Sequence, residues 1–258
     1  MIPRAAITQW GTTHPWQTAR QVEQDLLLSQ AMIEIANDPL LGHELVLRGG
    51  TAFHKLFLPE PLRYSEDLDY VRTTASGIGP VMKRLTSLGM ELGYEVRTRM
   101  TRHPKVFWRF AFEDDESGKI KVEINTFERS PAMPLQTVSH RVETSHYAGV
   151  APILTFQPEE LVATKIRALY QRKKGRDLYD LWLALAELRL DPAKIIAAFS
   201  LYRPEGVTGA MLASNLEAKL LDKEFCSDVQ NMIKVNAWPY DPQLAGKLVL
   251  ERVLRLID

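Results

Sequence analysis

The chain has 258 residues, 45% of them apolar and 25% charged, with 32 basic and 32 acidic side chains and a net charge of zero. That length supports a substantial core in one large domain or two small ones, and the charge balance excludes a dedicated, strongly basic nucleic-acid binder while leaving room for local basic patches. No apolar run is long enough for a membrane span, the opening MIPRAAITQWG lacks an apolar signal core, and the lone Cys226 excludes an internal disulfide, so cytoplasmic residence is expected.

Residues 15–38 read as a helix, with Val22, Leu26, Ile33 and Ala36 at helical spacing and Glu23, Gln24, Gln30 and Glu34 between them. NDPLLG ends it. ELVLR (44–48) is a buried strand closed by Gly49-Gly50, and TAFHKLFL is a short helix begun by Thr51 and stopped by PEPL. SEDLDYVR (65–72) is the next strand, and residues 79–92 form a helix ending near Gly93. YEVRTRM and VFWRFAFED read as strands. KIKVEINTF is the clearest strand: Ile120, Val122 and Ile124 face one way, Lys121, Glu123 and Asn125 the other. After Phe156 the pattern turns helical. PEELVATKIRALYQR opens with Pro158 and two acids, and RDLYDLWLALAEL carries a stripe of Leu178, Leu181, Trp182, Leu185 and Leu188. Segments 191–202, 208–222 and 242–257 are also helical. The expected organisation is an N-terminal helical segment (1–42), an α/β core with a mixed sheet (43–156) and a C-terminal helical domain (157–258), without repeats.

The chemistry concentrates in LVLRGGTAFHKLFLPEPLRYSEDLDYVR (45–72). On a strand, Asp67 and Asp69 share one face, where they repel each other unless a cation sits between them. Hard divalent cations such as Mg2+ favour oxygen ligands of this kind. Glu123, on the polar face of another strand, is a candidate third carboxylate for a two-metal clamp. Alone, Asp-x-Asp also fits a pair of surface acids at a strand end. A strand followed by Gly-Gly-Thr and a helix, however, offers free backbone N–H groups and a positive helix end to phosphates; a plain tight turn is the alternative for the glycines. By themselves Lys165 reads as a solvated helix residue, and Asp177 and Asp180 as partners of Arg176 or as helix caps. RTRMTRHPK (97–105) and RKKGR (172–176) are two basic clusters, each by itself an ordinary solvated surface.

LRGGTAFHKLFLPEPLRYSEDLDYV closely resembles the first motif of the AbiEii-type nucleotidyltransferases of the DNA polymerase β-like superfamily, toxins of type IV toxin–antitoxin and abortive-infection systems. EELVATKIRALYQRKKGRDLYDLW resembles their later motif, a lysine followed by Arg-Asp-x-x-Asp. The resemblance spans roughly residues 15–185. It implies a nucleotidyltransferase fold in which Gly49, Gly50 and Thr51 grip the phosphates of an NTP. Asp67 and Asp69 would bind Mg2+ or Mn2+, with Glu123 as third acid, and Lys165 would face transferred phosphate. Asp177 would be the essential acid of the Arg176-Asp177 pair, with Asp180 in support, while Arg63 and Ser65 precede the acids as in the family. It further implies NMP transfer to RNA, with the tRNA 3′ end as expected acceptor, and an antitoxin from a neighbouring gene. NMP transfer to a protein side chain, or nucleotide binding without turnover, are the alternative functions.

Overall fold

A computed structural model describes residues 2–237 and 239–258. Its elements run α1 (Arg4–Gly11), α2 (Ala19–Asn37), α3 (Leu41–Glu44), β1 (Leu45–Arg48), α4 (Gly49–Ala52), a π-helical turn (Phe53–Phe57), β2 (Asp67–Arg72), α5 (Gly79–Glu91), β3 (Glu95–Arg99), β4 (Lys105–Ala111), β5 (Ser117–Asn125), β6 (Gln136–Glu143) and β7 (Ala148–Thr155). The rest is helical: α6 (Pro158–Gln171), α7 (Gly175–Glu187), α8 (Pro192–Tyr202), α9 (Gly209–Leu220), α10 (Lys223–Ser227) and α11 (Pro242–Arg252), with two short 3-10 turns. This is the mixed α/β architecture expected from the sequence.

The strands form one sheet of order β3-β4-β5-β2-β1-β7-β6. β2 lies parallel to β5 and antiparallel to β1, and β1 runs parallel to β7. Alternation decides which side faces inward. Leu68, Ile120, Val122, Ile124, Val106 and Trp108 have no solvent exposure, whereas Asp67, Asp69, Lys121 and Glu123 stand on the opposite face. Full burial of one such apolar side chain stabilises by roughly 1.5–3 kcal/mol. A one-residue slip of β2 or β5 would exchange that gain for buried carboxylates, so the register is strongly specified. It sets Asp67 beside Lys121 and Asp69 beside Glu123.

Helices α2 and α5 cover the apolar face. α2 begins four residues later than the sequence pattern suggests, because Thr18 and Gln21 form a reciprocal capping box there. Glu23, expected on its polar side, is buried and accepts the Glu113 backbone N–H at 3.0 Å. On α5 the Leu85 carbonyl accepts the Trp108 indole N–H at 3.1 Å. One apolar cluster runs from Ile2 to Ile257 and draws on the helices of both chain ends.

Two features escaped the sequence patterns. The helix after β1 starts at Gly49 rather than Thr51, and its second half widens into a π turn, with the Leu58 N–H bonded to the Phe53 carbonyl. Residues 136–155 form the β6–β7 hairpin, where no strands were expected. Pro152 hides β7, since a proline argues against an interior strand. It is tolerated because β7 meets β1 only at Leu47↔Thr155, beyond Pro152.

Candidate active site

The uncovered, polar face of β2 and β5 forms the floor of a cavity of about 580 Å3, walled by the Gly49 turn on one side and by α6 and the start of α7 on the other. Of the residues singled out in the sequence, Gly49, Gly50, Thr51, Arg63, Ser65, Asp67, Asp69, Glu123, Lys165, Arg176 and Asp177 all line it. Only Asp180 stands behind the wall.

The glycines are required by geometry. Gly49 has φ +80°, in the left-handed region that disfavours side chains, and a Cβ there would lie 3.0 Å from Asp69 Oδ2. At Gly50 a Cβ would come within 2.1 Å of Arg63 Nη2 and 3.0 Å of Asp180 Oδ2. The turn therefore packs directly on the carboxylate strand and on the buried ion network. Thr51 ties it down differently from the expectation of a free phosphate donor. Its hydroxyl is buried and donates to the Asp67 carbonyl at 2.6 Å. Its 2.7 Å contact with Ser65 Oγ is then a bond donated by the serine. Thr51 thus fixes the backbone that presents Asp67.

Among the acids, Asp67 Oδ2 bonds Lys121 Nζ at 2.8 Å, and Glu123 Oε2 accepts Lys121 at 3.2 Å and Lys105 at 3.3 Å. Burial would raise the Glu123 carboxyl, yet the two lysines hold it below its ordinary range. Asp69 differs. Among the described residues its carboxylate has neither a hydrogen bond nor an ion pair, and burial together with the neighbouring Asp67 pushes its pKa up. No group of three or more carboxylate, histidine or cysteine side chains among the described residues converges closely enough to cage an ion. An unpartnered Asp69 next to Asp67 nevertheless presents hard oxygen donors with uncompensated charge, the chemistry that suits Mg2+ or Mn2+.

Behind the cavity wall lies a buried charge network. Asp180 accepts Arg63 Nε at 2.8 Å and Nη2 at 3.0 Å, His54 Nε2 at 3.0 Å, and pairs with Lys165 Nζ at 2.9 Å. Asp177 pairs with Lys165 at 3.1 Å and with Arg172 at 2.6 and 2.7 Å. Burial opposes both charges, but Arg63 and Lys165 hold Asp180 well below the carboxylate range, and Lys165 and Arg172 lower Asp177. Burial lowers the His54 pKa against the pull of Asp180, and because a carboxylate only accepts, Nε2 is the nitrogen that donates. Lys165 is therefore not a solvated helix residue, and neither acid pairs with Arg176. That guanidinium approaches Met232 Sδ at 3.8 Å and lines the cavity. In the RKKGR cluster only the two arginines face the cavity, while Lys173 and Lys174 pair with Asp222 and Asp228 outside it.

Several cavity residues were not singled out. Arg48 Nη1 and Arg167 Nη1 grip opposite oxygens of Glu128 at 2.6 and 2.7 Å. Asn125 Oδ1 accepts the backbone N–H groups of Phe127 and Glu128. Only the alternation of KIKVEINTF, which sets Lys121 and Asn125 beside Glu123, signalled any of these positions.

Comparison with known proteins agrees with this geometry. Residues 30–237 match the family profile described as nucleotidyl transferase AbiEii toxin, type IV TA system. The structure is similar to that of MenT4, a nucleotidyltransferase toxin from Mycobacterium tuberculosis H37Rv, with a TM-score of 0.66 at 16% identity, covering 100% of this chain and 91% of that one. An antigenic nucleotidyltransferase-like protein from Paracoccidioides brasiliensis matches with a TM-score of 0.43 at 16% identity, over 85% of this chain and 96% of that one. No curated protein matches the sequence significantly. With most of its length matched by the family profile and its fold shared with a nucleotidyltransferase toxin, the chain belongs to the AbiEii family of type IV toxin–antitoxin nucleotidyl transferases.

Proposed function

We propose that the cavity transfers NMP from an NTP to an RNA hydroxyl, with the tRNA 3′ end as acceptor, so that aminoacylation and translation stop and growth arrests until a cognate antitoxin intervenes. The observation that carries the reading is convergence. Residues from three separate stretches, 48–69, 121–128 and 164–177, meet in one cavity that sets two carboxylates opposite a phosphate-ready turn and a bank of cations.

Each part has a physical task. The backbone N–H groups at the start of the Gly49 helix receive phosphate oxygens, with Gly49 and Gly50 permitting the close approach. Lys165, Arg172 and Arg176 face the charge that spreads over the phosphate oxygens during transfer. Asp177 and Asp180 act on the substrate through cations: both hold Lys165, Asp177 also holds Arg172, and Asp180, itself bonded by His54, holds Arg63. Asp67 and Asp69 would be the ligands for a divalent cation, with Glu123 beside Asp69 in register on the neighbouring strand, where Lys121 and Lys105 hold it. Bound there, such an ion would neutralise phosphate charge and activate the reacting oxygens. The acceptor hydroxyl attacks the α-phosphorus, and the bond to pyrophosphate breaks. Arg102 of the 97–105 cluster lines the cavity mouth, and Arg97 and Arg99 extend the cluster outward along β3, which supports a polyanionic acceptor.

Calorimetric titration of each Mg2+–NTP into the protein tests the binding half of this reading. Wild type should bind at least one NTP in a metal-dependent way, and Asp69→Asn should lose the metal dependence. Equal affinity with and without Mg2+ in both proteins would remove the carboxylates from the reading.

A further inference from the structure

We propose that the Phe127 ring, flanked by Arg102 and His103, is a stacking platform for a nucleobase at the mouth of the cavity, either that of the incoming nucleotide or that of the terminal residue of the acceptor strand. The inference rests on the transferase reading and adds to it the part of the substrate that the acids and the glycine turn do not contact.

Phe127 is the one aromatic side chain among the described residues that stands in the open, at 60% exposure. Every other described phenylalanine, tyrosine and tryptophan is buried or partly buried. The backbone that carries Phe127 is tied down. Its backbone N–H bonds Asn125 Oδ1 at 2.8 Å, the next N–H bonds the same oxygen at 3.0 Å, and Glu128 is held between Arg48 and Arg167. A hydrogen-bonded turn thus presents an apolar plane to solvent at the edge of a charged cavity.

The surroundings of the ring suit a base. The Arg102 guanidinium carbon lies 5.2 Å from the ring centroid, over one face. His103 packs against it in a T-shaped arrangement, with centroids 5.9 Å apart and planes at 89°. All three residues line the cavity that holds Asp67 and Asp69. An aromatic face beside a planar cation is the equipment that binds a base by stacking, with little dependence on its sequence. Phe127 lies two residues beyond Asn125, the end of the strand that carries Glu123, so the ring and the acids share one cavity.

The test uses wild type, Phe127→Leu, which keeps apolar bulk without the aromatic face, and Phe127→Tyr, which keeps the face. Affinity for each Mg2+–NTP is measured by calorimetry. Affinity for a labelled single-stranded RNA octamer, and for the same octamer with an abasic 3′ residue, is measured by anisotropy. Because the ring is exposed, F127L should melt with wild type. For the ligand whose base stacks there, F127L should weaken binding roughly ten- to hundred-fold, while F127Y stays near wild type. Loss on the NTPs alone assigns the incoming base. Loss on the intact octamer, with the abasic one binding wild type and F127L equally, assigns the acceptor base. If F127L binds all ligands as wild type does, or loses intact and abasic RNA equally with NTP binding unchanged, the platform is overturned and the transferase reading stands. If wild type binds neither NTP nor RNA, both fall.

Discussion

Removing the Asp180 carboxylate should destabilise this protein more than removing any acid on its surface. Asp180 is fully enclosed and is the shared partner of Arg63, Lys165 and His54, with four contacts between 2.8 and 3.0 Å. Asp180→Ala leaves Arg63 without a carboxylate and Lys165 with only Asp177, both in surroundings nearly closed to water. Deleting one partner of a buried ion pair costs about 3–5 kcal/mol, because the remaining charge stays uncompensated. For a chain of this size about 2–4 °C of melting temperature is lost per kcal/mol, giving a fall of roughly 6–20 °C. Thermal melts and urea titration at neutral pH measure it. The sign with pH follows from Asp180 being held well below the ordinary carboxylate range. Its contribution is complete above the unfolded value, near about 3.9, and is lost only as pH falls through the much lower folded value. The gap between wild type and D180A should therefore be constant from about pH 5 upward. The double variant Arg63→Met/Asp180→Ala should recover part of the loss, since both ends of the pair are then gone. A shift below about 2 °C, or a double variant as poor as the sum of the singles, would refute the reasoning.

Four further outcomes follow from the same geometry. Gly50→Ala drives a methyl group against Arg63 and Asp180, so it should cost about 1–3 kcal/mol in urea unfolding and abolish NTP binding, whereas the same change at exposed Gly77, whose Cβ meets nothing within 4 Å, should do neither. Thr51→Val strands the Asp67 carbonyl and the Ser65 hydroxyl and should cost about 1–3 kcal/mol, with Thr51→Ser close to wild type in the same melts. Asp69→Asn relieves an unpartnered charge beside Asp67, so the metal-free variant should melt above metal-free wild type, and Mg2+ should raise only the wild-type melting temperature. Glu128 is held down at about 2 by Arg167 and Arg48 against the effect of burial. Glu128→Gln should accordingly cost stability at neutral pH, a difference that closes as pH falls from about 4.3 to about 2 in acid titration followed by circular dichroism.

The parts of the site that were legible in the sequence are those where residue type and local period suffice. Asp67 and Asp69 must share a strand face whatever surrounds them, and KIKVEINTF sorts its apolar and polar residues by alternation alone. Gly-Gly after a buried strand announces a turn that side chains would obstruct. The roles that depend on partners distant in the chain were not legible. Nothing local to RDLYD says that Asp177 pairs with Lys165 and Arg172, or that Asp180 reaches back to Arg63 and His54 across more than a hundred residues. Thr51 looked like a phosphate donor because its hydroxyl sits beside the glycines, and only the fold commits that hydroxyl to the Asp67 carbonyl. Phe127 read as the tail of a strand, yet Asn125 ends the strand and turns the chain outward. In the fold, the β6–β7 hairpin was masked by Pro152, which an open edge accommodates.

The central claim, that this cavity transfers a nucleotide to RNA, is tested most directly by incubating the protein with total tRNA, Mg2+ and each α-labelled NTP in turn, beside Asp67→Ala and a metal-free control. The account predicts label on tRNA with at least one NTP and none in either control. Label on no RNA with any NTP, while the protein still binds nucleotide, would contradict it and redirect the search to protein acceptors or to binding without turnover.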